Sequence, residues 1–234
     1  MTTYVLVHGA WSGAHGFRLV RPLLRAAGHE VFTPSLTGIG ERAHLTSPQV
    51  DLTTHVRDVV NAVLYEDLRD LVLLGFSYGG MVVSSAMEHL EGRVRHLVYL
   101  DAFLPDDGDS VASLTGLGAS PAIELGEDWL VPSAPREYDD PAEAEFATVR
   151  RTPQPRGTFT EPVRLRQPLE QLPVARTYVK ATADPPDSPV SRAFWAAAER
   201  ARSSPDWRYR EIATSHMVAS NRPRELADLL LELG

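Results

Sequence analysis

The chain has 234 residues, enough for one α/β domain with a sizeable core. Its 23 Lys and Arg against 31 Asp and Glu leave a net charge of −8, which argues against a phosphate-backbone ligand as the main partner. It contains no cysteine, which excludes disulfides, thiol nucleophiles and cysteine metal sites.

Met1-Thr2-Thr3 runs straight into an apolar strand, without a basic leader, and no apolar run approaches ~18 residues. The expectation is a chain with no signal peptide and no membrane partner, cytoplasmic by default. Tyr4 to Val7 is a predicted buried strand, followed by an amphipathic helix over Phe17 to Ala27 that stops at Gly28. Glu30 to Thr33 is a second strand, ended by Pro34. Thr53 to Tyr65 carries Val56, Val59, Val60, Val63 and Leu64 at helical spacing. Asp70 to Leu74 reads as a central strand, Gly79 to Leu90 as a helix and Val94 to Leu100 as the next strand. From about Leu104 to Leu172 the rhythm breaks into Pro-, Gly- and acid-rich chain with the anchors Trp129, Tyr138 and Phe146. Strand, helix, strand and helix then return: Val174 to Lys180, a helix capped by Ser188 and Pro189 and running to about Arg202, Trp207 to Ile212, and Pro223 to Leu233.

This alternation is the signature of a mostly parallel sheet flanked by helices. Residues 1–103 and 173–234 are expected to form the core, with 104–172 inserted between two sheet strands as a cap. The acidic cluster at Asp106, Asp107 and Asp109 reads as a solvated loop.

The strongest local signal is Gly75-Phe76-Ser77-Tyr78-Gly79-Gly80, a G-x-S-x-G sequence between an apolar strand and a helix. Such a turn perches a serine hydroxyl above the sheet, and small residues at Gly75 and Gly79 avoid backbone collisions. The following helix N-terminus presents N–H groups to developing negative charge. Ser77 is therefore the candidate nucleophile, and a serine hydroxyl needs a base. His216, in the loop before the last helix and last in chain order, is the candidate. For the acid that orients it, Asp184 at the end of the Val174–Lys180 strand is the first choice, with Asp101 and Asp187 as alternatives. The oxyanion would meet the amides of Tyr78, next to the nucleophile, and Ala10, in the loop after the first strand. His8 reads as a structural loop residue, and His15, His44 and His55 as loop or helix-start residues, with a place at the entrance as the lesser alternative. Trp11, Phe76, Tyr78, Phe103 and Met217 suggest a small aromatic or aliphatic substrate, although each also suits core packing.

His8 to Ala14 (H-G-A-W-S-G-A), the elbow around Ser77, and Ser215-His216-Met217 resemble the plant methylesterase and hydroxynitrile lyase branch of the α/β-hydrolases. Leu36 to Leu45 resembles bacterial esterases of that branch. The resemblance implies the α/β-hydrolase fold, a small cap over a buried apolar pocket, a Ser–His–Asp triad and no cofactor. By position it matches Asp184 to the acid and Ala10 and Tyr78 to the oxyanion donors. Lyases of this branch carry lysine after the catalytic histidine, where this chain has Met217, and threonine or asparagine at Gly9. Phe76 stands where relatives show histidine or glutamate, and reads as pocket wall.

The expected activity is hydrolysis of a small-molecule carboxylic ester through an acyl-enzyme, with no metal and no nucleic-acid partner. A lyase using the same residues to move protons, and a non-catalytic small-molecule binding protein, are the alternatives. A homodimer is compatible with the sequence.

Overall fold

The computed structural model describes residues 1–116 and 129–234. The elements in chain order are β1 Thr3–Val7, α1 Arg21–Ala26, β2 Glu30–Phe32, α2 Leu52–Tyr65, β3 Leu71–Phe76, α3 Gly79–Ala86 and β4 Val94–Leu100. Then come α4 Val111–Thr115, β5 Leu130–Val131, α5 Pro141–Thr148, β6 Gln154–Pro155 and α6 Gly157–Thr160. Last are β7 Ala175–Ala181, α7 Pro189–Ser203, β8 Arg208–Ile212, α8 Val218–Asn221 and α9 Pro223–Leu233.

Six strands form one sheet in the order β2-β1-β3-β4-β7-β8, and each neighbouring pair runs parallel. A parallel sheet is covered on both faces, so its central strands read as unbroken apolar runs. Every residue of β3 is buried. The side-chain period of two then divides the core. Val5, Val7, Leu71, Leu73, Leu97 and Tyr99 join the α2, α3 and α7 face, where Val59, Val82 and Phe194 meet them. Tyr4, Leu6, Val72, Leu74, Val98 and Leu100 join the α1 and α9 face with Leu24, Leu226 and Leu230.

Local chemistry sets the ends. Asp51 and Thr54 form a reciprocal capping box at α2, and Ser188 and Ser191 do so at α7, whose first residue is Pro189. The helix expected over 17–27 is shorter: a 3₁₀ turn covers Ala14–Phe17 and α1 begins only at Arg21. Pro22 explains the late start, because without an N–H it suits the first turn and not a helix interior.

Between β4 and β7 the chain leaves the sheet. There β5 and β6 pair antiparallel over two residues each, Leu130 with Pro155 and Val131 with Gln154. Both strands are too short to show a periodic pattern. Phe159, Val163, Leu165 and Leu169 of this segment pack into the α2–α3–α7 core. Of the expected anchors, Phe146 is held between Arg18 and Arg150, 4.0 and 3.8 Å from its ring centre. Among the described residues no helix is long and apolar enough to cross a membrane.

Candidate active site

Ser77 stands between β3 and α3 with φ of 56°, a left-handed conformation that a non-glycine residue adopts at a cost. The turn is tight because its neighbours are small. A Cβ on Gly75 would lie 2.5 Å from the Gly79 carbonyl oxygen, and one on Gly79 would lie 2.7 Å from that of Val7. The β1 loop passes equally close, since a Cβ on Gly9 would come within 2.9 Å of the Ser77 Cβ. Any larger residue at these positions would move the nucleophile.

His216 enters from the loop between β8 and α8. Its Nε2 lies 2.9 Å from Ser77 Oγ, and both residues are buried. The imidazole is clamped, with Phe194 stacked on it at 4.9 Å between ring centres and Phe76 at 4.7 Å.

The carboxylate on the other side of the ring is not the one expected. Asp101 Oδ2 accepts from His216 Nδ1 at 2.6 Å, whereas Asp184 Oδ2 accepts the backbone N–H of His216 at 2.8 Å. Asp184 thus braces the histidine loop, and Asp101 fixes the ring and its tautomer. The reason lies in the ladder: β4 and β7 are neighbours, and β4 ends at Leu100, directly before Asp101. Asp101 has φ of 40°, and its N–H donates to Val179 O at 2.7 Å. Asp187, the other alternative, is exposed and accepts from Ser191 Oγ at 3.4 Å near the start of α7.

Lys180, which the sequence reading treated only as a strand end, completes the cluster. It is 1% exposed, and its Nζ lies 2.7 Å from Asp101 Oδ1. Burial alone would push the Asp101 carboxyl up, but the bond to and charge of His216, with the Lys180 ammonium, hold it below its ordinary value. Burial pushes His216 below the usual imidazole value of 6.5, against the opposing pull of Asp101. A neutral imidazole facing a serine hydroxyl can accept its proton at neutral pH.

Ala10 lines the recess beside Ser77 and Tyr78 follows Ser77 in the chain, and among the described residues neither backbone N–H donates to another group. Next to Ala10, the Trp11 N–H is taken by Gln154 Oε1 at 2.9 Å. His8 donates from Nδ1 to Gly9 O and accepts the Leu36 N–H at Nε2, which makes it a brace for the loop. Burial holds it neutral, with its pKa lowered to about 4. His55 is another brace, away from the entrance: it donates to Thr37 O at 2.7 Å and accepts from the Tyr78 hydroxyl at 3.0 Å. That contact turns the Tyr78 ring into the core, where it is 1% exposed.

Trp11, Phe76 and Met217 line a recess of about 10 Å³ beside Ser77, together with Arg136 and Arg151. Phe103 does not line it; its ring packs on Phe194 at 4.8 Å. A larger cavity of about 310 Å³ lies behind His216, bordered by Asp101, Lys180, Asp184, Arg136 and Phe194. Arg136, His216 and Met217 line both. Among the described residues no group of three or more His, Asp or Glu is placed to hold a metal.

The sequence profile of the alpha/beta hydrolase family matches residues 4–229. The chain belongs to that family. This hydrolase is 35% identical to the carbendazim hydrolyzing esterase of Nocardioides sp. over 248 residues, covering 100% of both chains. It is 26% identical to the esterase PIR7B of Oryza sativa, covering 99% of this chain and 95% of that one. Among solved structures, a methylesterase from Arabidopsis superposes with a TM-score of 0.78 at 22% identity, covering 100% of this hydrolase and 98% of that chain, a likeness of fold.

Proposed function

We propose that this hydrolase cleaves small carboxylic esters through an acyl-enzyme on Ser77 Oγ. The observation that carries the proposal is the continuous hydrogen-bonded line from Ser77 Oγ through His216 to Asp101, at 2.9 and 2.6 Å. His216 Nε2 takes the Ser77 proton as Oγ attacks the ester carbonyl, and Asp101 stabilises the imidazolium that forms. The oxyanion accepts from the Ala10 and Tyr78 amides, for which each donor is worth about 10²–10³ in rate. His216 then gives its proton to the departing alkoxide, releasing the alcohol. A water, deprotonated by the same nitrogen, attacks the acyl carbonyl and frees the acid and Ser77.

The recess holds about one water. Substrate entry therefore displaces the side chains over Ser77, and segment 104–172 acts as the cap that selects the ester. Relatives named as esterases support this reading, and the Nocardioides protein makes carbendazim a substrate to test. Met217 follows the histidine without supplying a cation, which favours hydrolysis over lyase chemistry.

The test is turnover of p-nitrophenyl acetate together with labelling by a fluorophosphonate. Both are expected in the native protein and in neither case in Ser77→Ala. A Ser77→Ala variant that keeps ester turnover, or a native protein that cleaves a cyanohydrin and no ester, overturns the proposal.

A further inference from the structure

Buried lysine is costly unless paired, and a lysine inside a parallel sheet calls for a reason. Lys180 is the penultimate residue of β7, facing inward at 1% exposure. In the β4–β7 ladder Leu100 lies opposite Val179, so one step further sets Asp101 beside Lys180. Its ammonium donates to Asp101 Oδ1 at 2.7 Å and to Ala181 O at 2.5 Å, and it lies 4.5 Å from the centre of the Trp195 ring. Carboxylate, carbonyl and aromatic face together account for its three N–H groups.

Asp101 divides its oxygens. Oδ2 serves His216, while Oδ1 takes Lys180 and a long 3.4 Å contact from the Ala181 N–H. A full cation therefore stands where a neutral donor would suffice to orient the acid.

We propose that Lys180 is a positioning residue of the Ser77 site: its ammonium fixes Asp101 so that Oδ2 meets His216 Nδ1, and it offsets part of the charge with which Asp101 favours the imidazolium. The proposal rests on the reading of Ser77 and His216 as nucleophile and base. Its consequence is a base that stays unprotonated, and so active, in more acidic solution than an uncompensated carboxylate would allow. The other charged groups facing His216 are Asp184 from the loop after β7 and Arg136 from the segment before α5, which act in opposite directions on it. Glu137 and Asp187 border the cavity behind it. Lys180 is the one of these cations bonded to the acid itself.

The experiment compares the native protein with Lys180→Met and Lys180→Gln. Gln keeps an N–H for Asp101 and removes the charge. The pH dependence of kcat/KM for p-nitrophenyl acetate is read in each, with melting curves, and the His216 ring is titrated by NMR in the native protein and in each variant that folds. In both variants the acid limb is expected to move to higher pH by about one unit, a tenfold loss of kcat/KM on that limb. Lys180→Gln is expected to keep more of the plateau kcat than Lys180→Met, because it still orients Asp101.

A merely structural lysine would lower the melting temperature and leave the acid limb in place, which overturns the proposal. If neither variant folds, Lys180→Arg decides, because it keeps the cation but not the ammonium geometry: an acid limb that stays at the native pH with a lowered plateau kcat supports the proposal, and an acid limb that moves although the charge is kept, or an unchanged plateau kcat, overturns it. The NMR titration reads Lys180 whether or not an ester is turned over. Failure of the hydrolase reading, seen as no turnover and no fluorophosphonate labelling, is therefore separate from failure of this one.

Discussion

At the carboxyl end of the sheet, Ser77, Asp101 and His216 are each buried and rest on or beside strands locked by parallel ladders. Across the recess, β5 and β6 share two residue pairs, and the segment is tied down by the apolar anchors Phe159, Val163, Leu165 and Leu169 and by polar contacts. Among these are the Arg18–Glu143 ion pair and Arg222 with Asp139 at 2.5 Å. The Arg222–Asp139 pair is exposed and contributes little to stability, and two-residue ladders are marginal. The two sides divide the labour. The sheet side sets the Ser77–His216–Asp101 geometry, whereas the 129–172 side borders the recess with the side chains of Arg136 and Arg151. Chemistry should therefore respond to substitutions on the first side, and substrate choice to those on the second.

The largest effect is expected at the turn between β3 and α3. Ser77→Ala is expected to remove activity by about 10⁴-fold or more while leaving the melting temperature within a few degrees. The two carboxylates near His216 come next. Asp101→Asn is expected to lower kcat by about 10³–10⁴-fold, because an amide cannot stabilise the imidazolium and permits the wrong tautomer. It also strands Lys180 as an unpaired buried cation, at a cost of about 3–5 kcal/mol. Asp184→Asn keeps an oxygen that can accept the His216 N–H, so its kcat should fall far less, by about tenfold at most. Steady-state kinetics of the two variants, with melting curves, check this. Equal losses would mean that both carboxylates serve the ring.

That pair also shows where the sequence was readable. Strand boundaries at Val94–Leu100 and the helix at Pro223–Leu233 follow from apolar periodicity and match the structure residue for residue. Ser77 and His216 were readable because the elbow needs small neighbours and the histidine comes last in the chain. The acid was misread because chain order weighs Asp184 and says nothing about contacts across strands. A signal was present, however. Lys180 lies within a strand that is otherwise apolar toward its end, and a buried ammonium needs a carboxylate on the next strand. Asp101 at the end of β4 was the available partner. Phe103 and Tyr78 stayed open between pocket wall and core because an aromatic residue beside a catalytic loop looks the same whether it faces ligand or core. The two-residue strands of the 129–172 side offered no period to detect.

A third test concerns stability. Burial holds His8, His55 and His96 neutral, each with its pKa lowered to about 4 from 6.5. Unfolded, these groups bind protons as pH falls below 6.5, and folded they do not until about 4. The stability they contribute is therefore present above 6.5 and is lost as pH drops through this window, by roughly 3 kcal/mol for each. Because His8 braces the Gly9–Ala10 loop and His55 braces Tyr78, acid should loosen both proposed oxyanion donors as it destabilises the fold. Urea melts at pH 7 and pH 5 are expected to show the loss. A midpoint unchanged between them would sink this account of the buried histidines.

The smallest effect is expected where the two sides meet, at Trp11. Its φ of 58° is strained, and it is held to the segment by three bonds. Its N–H donates to Gln154 Oε1 at 2.9 Å, its indole N–H to Val131 O at 3.0 Å, and its carbonyl accepts from Thr152 at 3.2 Å. Gln154 is fully buried and also donates to Thr158 Oγ1 at 2.9 Å. Gln154→Leu keeps the volume but leaves the Trp11 N–H unpaired, costing about 1–3 kcal/mol. If the loop beside Ala10 is set by this bond, the oxyanion donor drifts and kcat falls about tenfold with KM little changed, since the donor acts on the transition state. If Trp11 serves only as a wall for the substrate, KM rises and kcat holds. The split between the two constants thus decides which side of the recess governs the residue that joins them.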